Sequence, residues 1–246
     1  MTRKVARHFS LARPRSLFLL LLLAIRFAAV AGAEIRGIVN VETIGLFGQR
    51  PAAVEAGPLS VAIFPLDGSL PVRDRSTTHG MEIRDSQMQP PYIAIARGDR
   101  VRFENQDGLY HELFSISAEQ PFVLRLGERR HNAASGGQIQ FDRVGTWHVF
   151  CRVHGKTYGR IDVLDTPFIK MVQPGEPFSF HRLTPGRWRM RIATPGAQTR
   201  TLETLARSAA TPLHETLTVR RGALGRGDPS ARPIDIVDLF PPEPGP

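Results

Sequence analysis

The sequence predicts an all-β chain of the sandwich class. Short runs rich in Val, Ile, Phe and Leu alternate with Gly and Pro, which number 22 and 20 among 246 residues. That is the pattern of strands joined by turns rather than of helices. The runs are also short and closely spaced, which favours packed sheets. Strands are expected at 35–41, 59–66, 81–84, 92–96, 100–104, 112–116, 137–141, 147–151, 160–164, 178–181, 187–193 and 214–219. Only 201–208, TLETLARS, has a claim to a helical turn.

Taken in order, the chain opens on MTRKVARHFSLARPR, with five Lys or Arg and no acid, followed by the apolar SLFLLLLLAIRFAAVAGA. This is the layout of a secretory signal over 1–33, with Ala31-Gly32-Ala33 offering a small-x-small cleavage site before Glu34. An uncleaved anchor is the alternative, but Arg26 interrupts an apolar run already shorter than the ~20 residues a bilayer needs. Export to the periplasm and no stable membrane insertion after cleavage are therefore expected. Removing 1–33 takes away six basic residues and lowers the formal charge from +9 to +3. The mature chain has no Lys/Arg block with interleaved aromatics, so no nucleic-acid partner is expected. Its single cysteine, Cys151, rules out an internal disulfide framework. An unpaired thiol in an oxidising compartment calls for burial or a bound partner.

Composition divides the mature chain into N-terminal strands at 34–75, a block at 76–165, a second module at 166–222 and a Pro/Gly-rich tail at 223–246. The chemistry lies in the block. In FDRVGTWHVFCRVHG, residues 141–155, strand alternation sends Trp147, Val149 and Cys151 to one face and His148 and Phe150 to the other. Cys151 thus ends a strand pointing inward, and His154 follows after a short turn. A C-x-x-H turn can bring a thiolate and an imidazole to one ion, and both suit copper. A second segment, ARGDRVRFENQDGLYHELFS at 96–115, ends a strand at Phe103-Glu104-Asn105 and starts the next near His111.

The G-D-x-V-x-F-x-N-x-D-x-x-x-H layout, with the G-T-x-x-x-F-C approach to Cys151, resembles the small blue-copper proteins, the cupredoxins. The resemblance covers 81–165. It implies a Greek-key sandwich holding one copper ion through His111, Cys151 and His154, and a protein that exchanges single electrons with a redox partner protein. Two positions depart from the pattern. Cupredoxins usually add a weak axial Met shortly after the second His, but this chain has Thr157, Tyr158 and Gly159 there, with Tyr158 a candidate substitute. Glu112 stands where relatives commonly have Asn, and the simplest expectation is that it faces solvent.

Met88 and Met171 are expected as core fillers. His148 is expected on the outward face of its strand, His79 and His131 in polar loops, and His181 and His214 outside the block. No H-x-H, H-E-x-x-H, P-loop, G-x-S-x-G or dinucleotide motif is present, so no catalytic residues are assigned and an enzyme is not expected.

The segment 166–196, with strands joined by L-T-P-G, resembles the carboxypeptidase regulatory-like β-sandwich. IRGIVNV and PLSVAIFPLDG are candidates for the first strands of that same sandwich, making the copper block an insertion in it. The whole arrangement resembles a family of exported bacterial proteins labelled methylamine utilization proteins. Trp188 is read as core. Beside electron transfer, non-redox copper binding or delivery and a structural sandwich with a vestigial site stay open.

Overall fold

The computed structural model describes residues 32–44, 57–71, 73, 75–117, 120–129 and 135–220. The leader up to residue 31, His131 and the 223–246 tail lie outside the described residues.

The described chain is all-β, in two sandwiches. In the first, β1 (Ala33–Ile44) lies between β13 (Pro177–Leu183) and β16 (Leu213–Arg220). The second sheet of this sandwich runs β12 (Ile169–Val172), β2 (Leu59–Pro65), β14 (Gly186–Ala193), β15 (Arg200–Ala206). Period-two alternation builds the core. On β1, Ala33, Ile35 and Val39 turn inward, where they meet Val61, Ile63, Phe178, Phe180, Trp188 and Met190. Trp188 is a core residue, 4% exposed. Gly37 is required by close approach, since a β-carbon there would lie 2.6 Å from the Leu213 carbonyl oxygen.

The strands between β2 and β12 form the second sandwich. One sheet runs β4 (Gln87–Gln89), β3 (Thr78–Arg84), β6 (Arg100–Asn105), β9 (Ser135–Gln140). The other runs β5 (Tyr92–Ala96), β11 (Tyr158–Leu164), β10 (Gly145–Cys151), β7 (His111–Ser115), β8 (Phe122–Leu126). Met81, Ile83, Val101, Phe103, Leu113, Trp147, Val149, Ile161 and Val163 fill the space between them. Trp147 is fully buried, meets Phe141 edge-on at 5.3 Å, and donates its indole N–H to the Gln120 carbonyl. Each such side chain contributes about 1.5–3 kcal/mol.

Several elements differ from expectation. Within 201–208, residues 201–206 are strand, not helix: Leu202 and Leu205 have helical spacing, but a seven-residue antiparallel ladder with β14 decides the conformation. β4, β8 and β12 also form strands that the sequence reading passed over. β4 is only three residues long and β12 only four, while β8 is a sheet edge with alternate residues exposed. His79 is not in a loop but on β3, with Nε2 3.0 Å from Asp99 Oδ2.

Where the sandwiches meet, Asp162 of β11 is wholly buried. It accepts hydrogen bonds from Arg160 Nε (2.8 Å) and Nη2 (3.2 Å), Thr146 Oγ1 (3.0 Å), Tyr92 OH (3.1 Å) and, from the first sandwich, Arg191 Nη2 (2.9 Å). Ser60 of β2 meets the same Tyr92 hydroxyl at 2.7 Å.

Candidate metal centre

The site is built by two loops at one end of the larger sandwich. Asn105, closing β6, is buried and shapes the first loop. Its amide donates to the carbonyls of Leu109 (2.7 Å) and Gly127 (2.8 Å), and its oxygen accepts the Asp107 N–H at 2.9 Å. The turn so formed delivers His111 to the start of β7 with its imidazole fully buried. The second loop leaves β10 at Cys151, which is 6% exposed. It closes through Cys151 N–H to the Thr157 carbonyl at 3.2 Å and Thr157 N–H to the His154 carbonyl at 3.0 Å. The Arg152 N–H donates to the Glu112 carbonyl at 2.9 Å, joining the two loops.

These loops bring His111, Cys151 and His154 together. His154 Nδ1 is 3.1 Å from His111 Nδ1, and Cys151 Sγ is 3.6 Å from the first histidine's Nδ1 and 3.8 Å from the second's. The circle through three atoms so spaced has a radius of about 2.0 Å, against lengths of about 2.0–2.1 Å for metal to imidazole nitrogen and about 2.3 Å to thiolate. His111, Cys151 and His154 would therefore be spaced to hold a first-row ion among them. Two imidazoles and one thiolate in a trigonal set are a donor chemistry that suits copper.

The protonation pattern agrees with that chemistry. His111 Nε2 lies 3.1 Å from Asp107 Oδ2. A carboxylate only accepts, so the proton sits on Nε2 and the Nδ1 lone pair faces the centre. Burial pulls the His111 pKa down and the nearby His154 adds to this, together outweighing the opposing pull of Asp107. The ring is thereby kept neutral, as a ligand must be. Asp107 is itself fixed from the opposite sheet: its Oδ1 accepts the Asp85 N–H at 2.7 Å and its Oδ2 the Ser86 N–H at 2.9 Å. Asp85 and Ser86 both have left-handed backbones, with φ of 53° and 57°, in the two-residue β3–β4 hairpin that ordinarily selects Asn-Gly. A left-handed residue with a side chain costs about 1–2 kcal/mol, which the two N–H bonds to Asp107 offset.

Glu112 corrects the expectation that it faces solvent. It is 7% exposed, with Oε2 accepting from Arg125 Nε at 3.0 Å and from the Tyr110 hydroxyl at 3.1 Å, while Oε1 pairs with Arg152. Those hydrogen bonds, led by that from Arg125, hold its carboxyl below the usual range. Tyr158 is turned away from the centre. It pairs with Phe150 on the face opposite Cys151, and its hydroxyl meets His148 Nδ1 at 2.8 Å. Thr157, three residues after His154, donates its hydroxyl to the Ser86 carbonyl at 2.7 Å. Met88 is core, 3% exposed, and the Met171 sulfur accepts the Ala94 N–H at the junction of the sandwiches. Sequence reasoning had the three donors but missed Asp107 as a partner of His111, although the D-x-x-x-H spacing contained it.

No protein-family model matches the chain, and no curated protein matches it. Among solved structures it is similar to an amicyanin variant in its Cu(I) state, at 17% identity over 35% of this chain and 82% of that one, with a TM-score of 0.31. A copper-containing nitrite reductase from Thermus scotoductus SA-01 aligns at 21% identity over 50% of this chain and 28% of that one, with a TM-score of 0.31. A mutant plastocyanin of fern aligns at 19% identity over 35% and 100%, with a TM-score of 0.27. At such scores these likenesses decide nothing about chemistry, which rests on the three donor atoms themselves.

Proposed function

We propose that the chain is an exported protein that holds one copper ion through His111, Cys151 and His154 and passes single electrons to and from a redox partner protein. The convergence of one sulfur and two Nδ1 atoms around a point at metal-ligand distance is the observation that carries this reading. Copper in such a set supplies one-electron chemistry between its cupric and cuprous states. The protein's part is to keep the donors fixed in both. Cys151 and His111 are anchored by strand ends and by the hydrogen bonds of both loops, so little rearrangement accompanies each electron. His154 is only half-buried, and exposed Leu109, Tyr110 and Val153 lie in the same two loops, leaving that end open to a partner. In this reading the copper block is a domain inserted in a regulatory-like sandwich, and the residues before Glu34 direct export.

Copper delivery without redox cycling is a second reading. It draws on the absence, among the described residues, of a fourth side-chain ligand beside the three donors, since the hydroxyls of Thr157 and Tyr158 are both engaged elsewhere. Copper content and the visible spectrum of the protein purified from a copper-supplied periplasm test the first reading. One copper per chain, with an intense thiolate-to-copper band that bleaches and returns on reduction and reoxidation, is expected. A folded protein without copper sinks both readings, and bound copper lost to a chelator within minutes, without reversible cycling, sinks the first in favour of delivery.

A further inference from the structure

Asp107 lies outside the donor set, yet its carboxylate ties that set to the opposite sheet. One of its oxygens meets His111 Nε2 and the Ser86 N–H, and the other takes the Asp85 N–H. The Ser86 carbonyl in turn accepts the hydroxyl of Thr157, whose backbone closes the loop carrying Cys151 and His154. A continuous path of hydrogen bonds thus runs from the first ligand loop, through a hairpin with two left-handed non-glycine residues, into the second. Backbone of this kind persists only where its surroundings over-determine it.

Resting on the copper reading, we infer that Asp107 is the positioning residue of the centre: its carboxylate fixes the tautomer and plane of His111 and, through the Asp85–Ser86 turn and Thr157, locks the two ligand loops into one frame. The charge has a second effect. A carboxylate hydrogen-bonded to the far nitrogen of a ligating imidazole makes that imidazole a stronger donor. A stronger donor favours the cupric over the cuprous ion and lowers the reduction potential. Asp107 therefore sets both the geometry and the poise of the site without touching the metal.

Three full-length variants test this. Asp107→Asn keeps the size and an acceptor for His111 but removes the charge. Asp107→Ala combined with Ser86→Gly removes the partner of His111 while relieving one of the two left-handed residues, so that the turn depends less on Asp107. Thr157→Val cuts the link to the second loop. Losing the partner behind a metal-ligating histidine typically costs about 10- to 100-fold in metal affinity, so Asp107→Asn is expected to weaken cupric relative to cuprous binding about tenfold, raising the potential by about 59 mV. The Ala/Gly pair is expected to fold but to show a raised potential and a broadened spectrum. Thr157→Val is expected to broaden the spectrum with a smaller shift. Nitrogen-15 shifts of His111 in the metal-free protein provide a readout independent of copper, reporting the Nε2–H tautomer in the wild type and a tautomer mixture in the Ala/Gly pair. A folded Ala/Gly pair with the wild-type tautomer overturns the inference, as does Asp107→Asn with an unchanged potential. Wild type that takes up no copper yet shows the Nε2–H tautomer, lost in the pair, overturns the copper reading while leaving the role of Asp107 in orienting His111.

Discussion

Two buried polar clusters hang on the same pair of strands, and they differ in what they lack. Around Asp162, two arginines and two hydroxyls supply five hydrogen bonds to one carboxylate, so charge and hydrogen-bonding capacity are answered from within the protein. Around Cys151, three electron-pair donors face one another at 3.1–3.8 Å, and protein atoms supply no cation between them. In the first arrangement the carboxylate is fully answered, although Arg191 Nη1 is buried without a hydrogen-bond partner, and the cluster docks two sandwiches. The second would be completed by an ion held by the three donors. Burial alone does not separate structure from function here, but the balance of donors and acceptors does.

The largest expected effect tests the docking role. Asp162→Ala leaves Arg160 and Arg191 without their carboxylate and should cost about 3–5 kcal/mol in chemical denaturation. It should leave the visible spectrum of the copper-loaded protein unchanged. A spectral change would show that the clusters are coupled along β10 and β11.

Acid should act next. Burial raises the carboxyl pKa of Asp162, but Arg160 and Arg191 outweigh it and hold it below the usual range. Asp99 and Asp107 are also lowered, because hydrogen bonds to their ionised forms outweigh desolvation. A carboxyl with a lower pKa folded than unfolded stabilises the fold fully above its unfolded value and loses that contribution as pH falls. The carboxylate contribution to the unfolding free energy of the metal-free protein should therefore be flat above about pH 5 and decline as pH drops through about 4, the unfolded carboxylate value. His111, held neutral by burial, should add a smaller and earlier decline that begins as pH falls through about 6.5, its unfolded value; no further loss below about pH 4 would count against the carboxylates.

Cys151→Ser should cost only about 1 kcal/mol of stability, the typical single-substitution effect. It should nevertheless abolish the thiolate-to-copper band and most copper uptake, seen by absorbance and metal analysis. Retained wild-type copper would mean that the ion lies elsewhere. Smallest of all, Tyr158→Phe should cost about 0.5–1.5 kcal/mol for its hydrogen bond to His148, with no spectral change, because that hydroxyl lies on the far face of the sheet. A shifted band would revive Tyr158 as a ligand.

How much of this was legible in advance follows from sequence separation. Cys151 and His154 are three residues apart on one strand end and its turn, so alternation and spacing suffice to place them together. His111 came from the motif that precedes it. Asp162, by contrast, looks like any strand polar residue until Arg191, 29 positions on, and Tyr92, 70 positions back, close around it. Glu112 was misread for the same reason, since its cover arrives from Arg125 and Arg152 on other elements.

The sequence by itself determined the all-β class, the inward face of β10 and the closeness of Cys151 to His154, because period-two alternation and short spacings are local properties of the chain, whereas His111 was pointed to by the resemblance of its motif to the cupredoxins. The tertiary structure alone decided that 201–206 is strand, that Glu112 is enclosed by arginines, and that Asp107, four residues before His111, also reaches the Asp85–Ser86 turn. Each depends on groups distant in sequence being brought within about 3 Å, the length of a hydrogen bond, and only packing the sheets against one another does that.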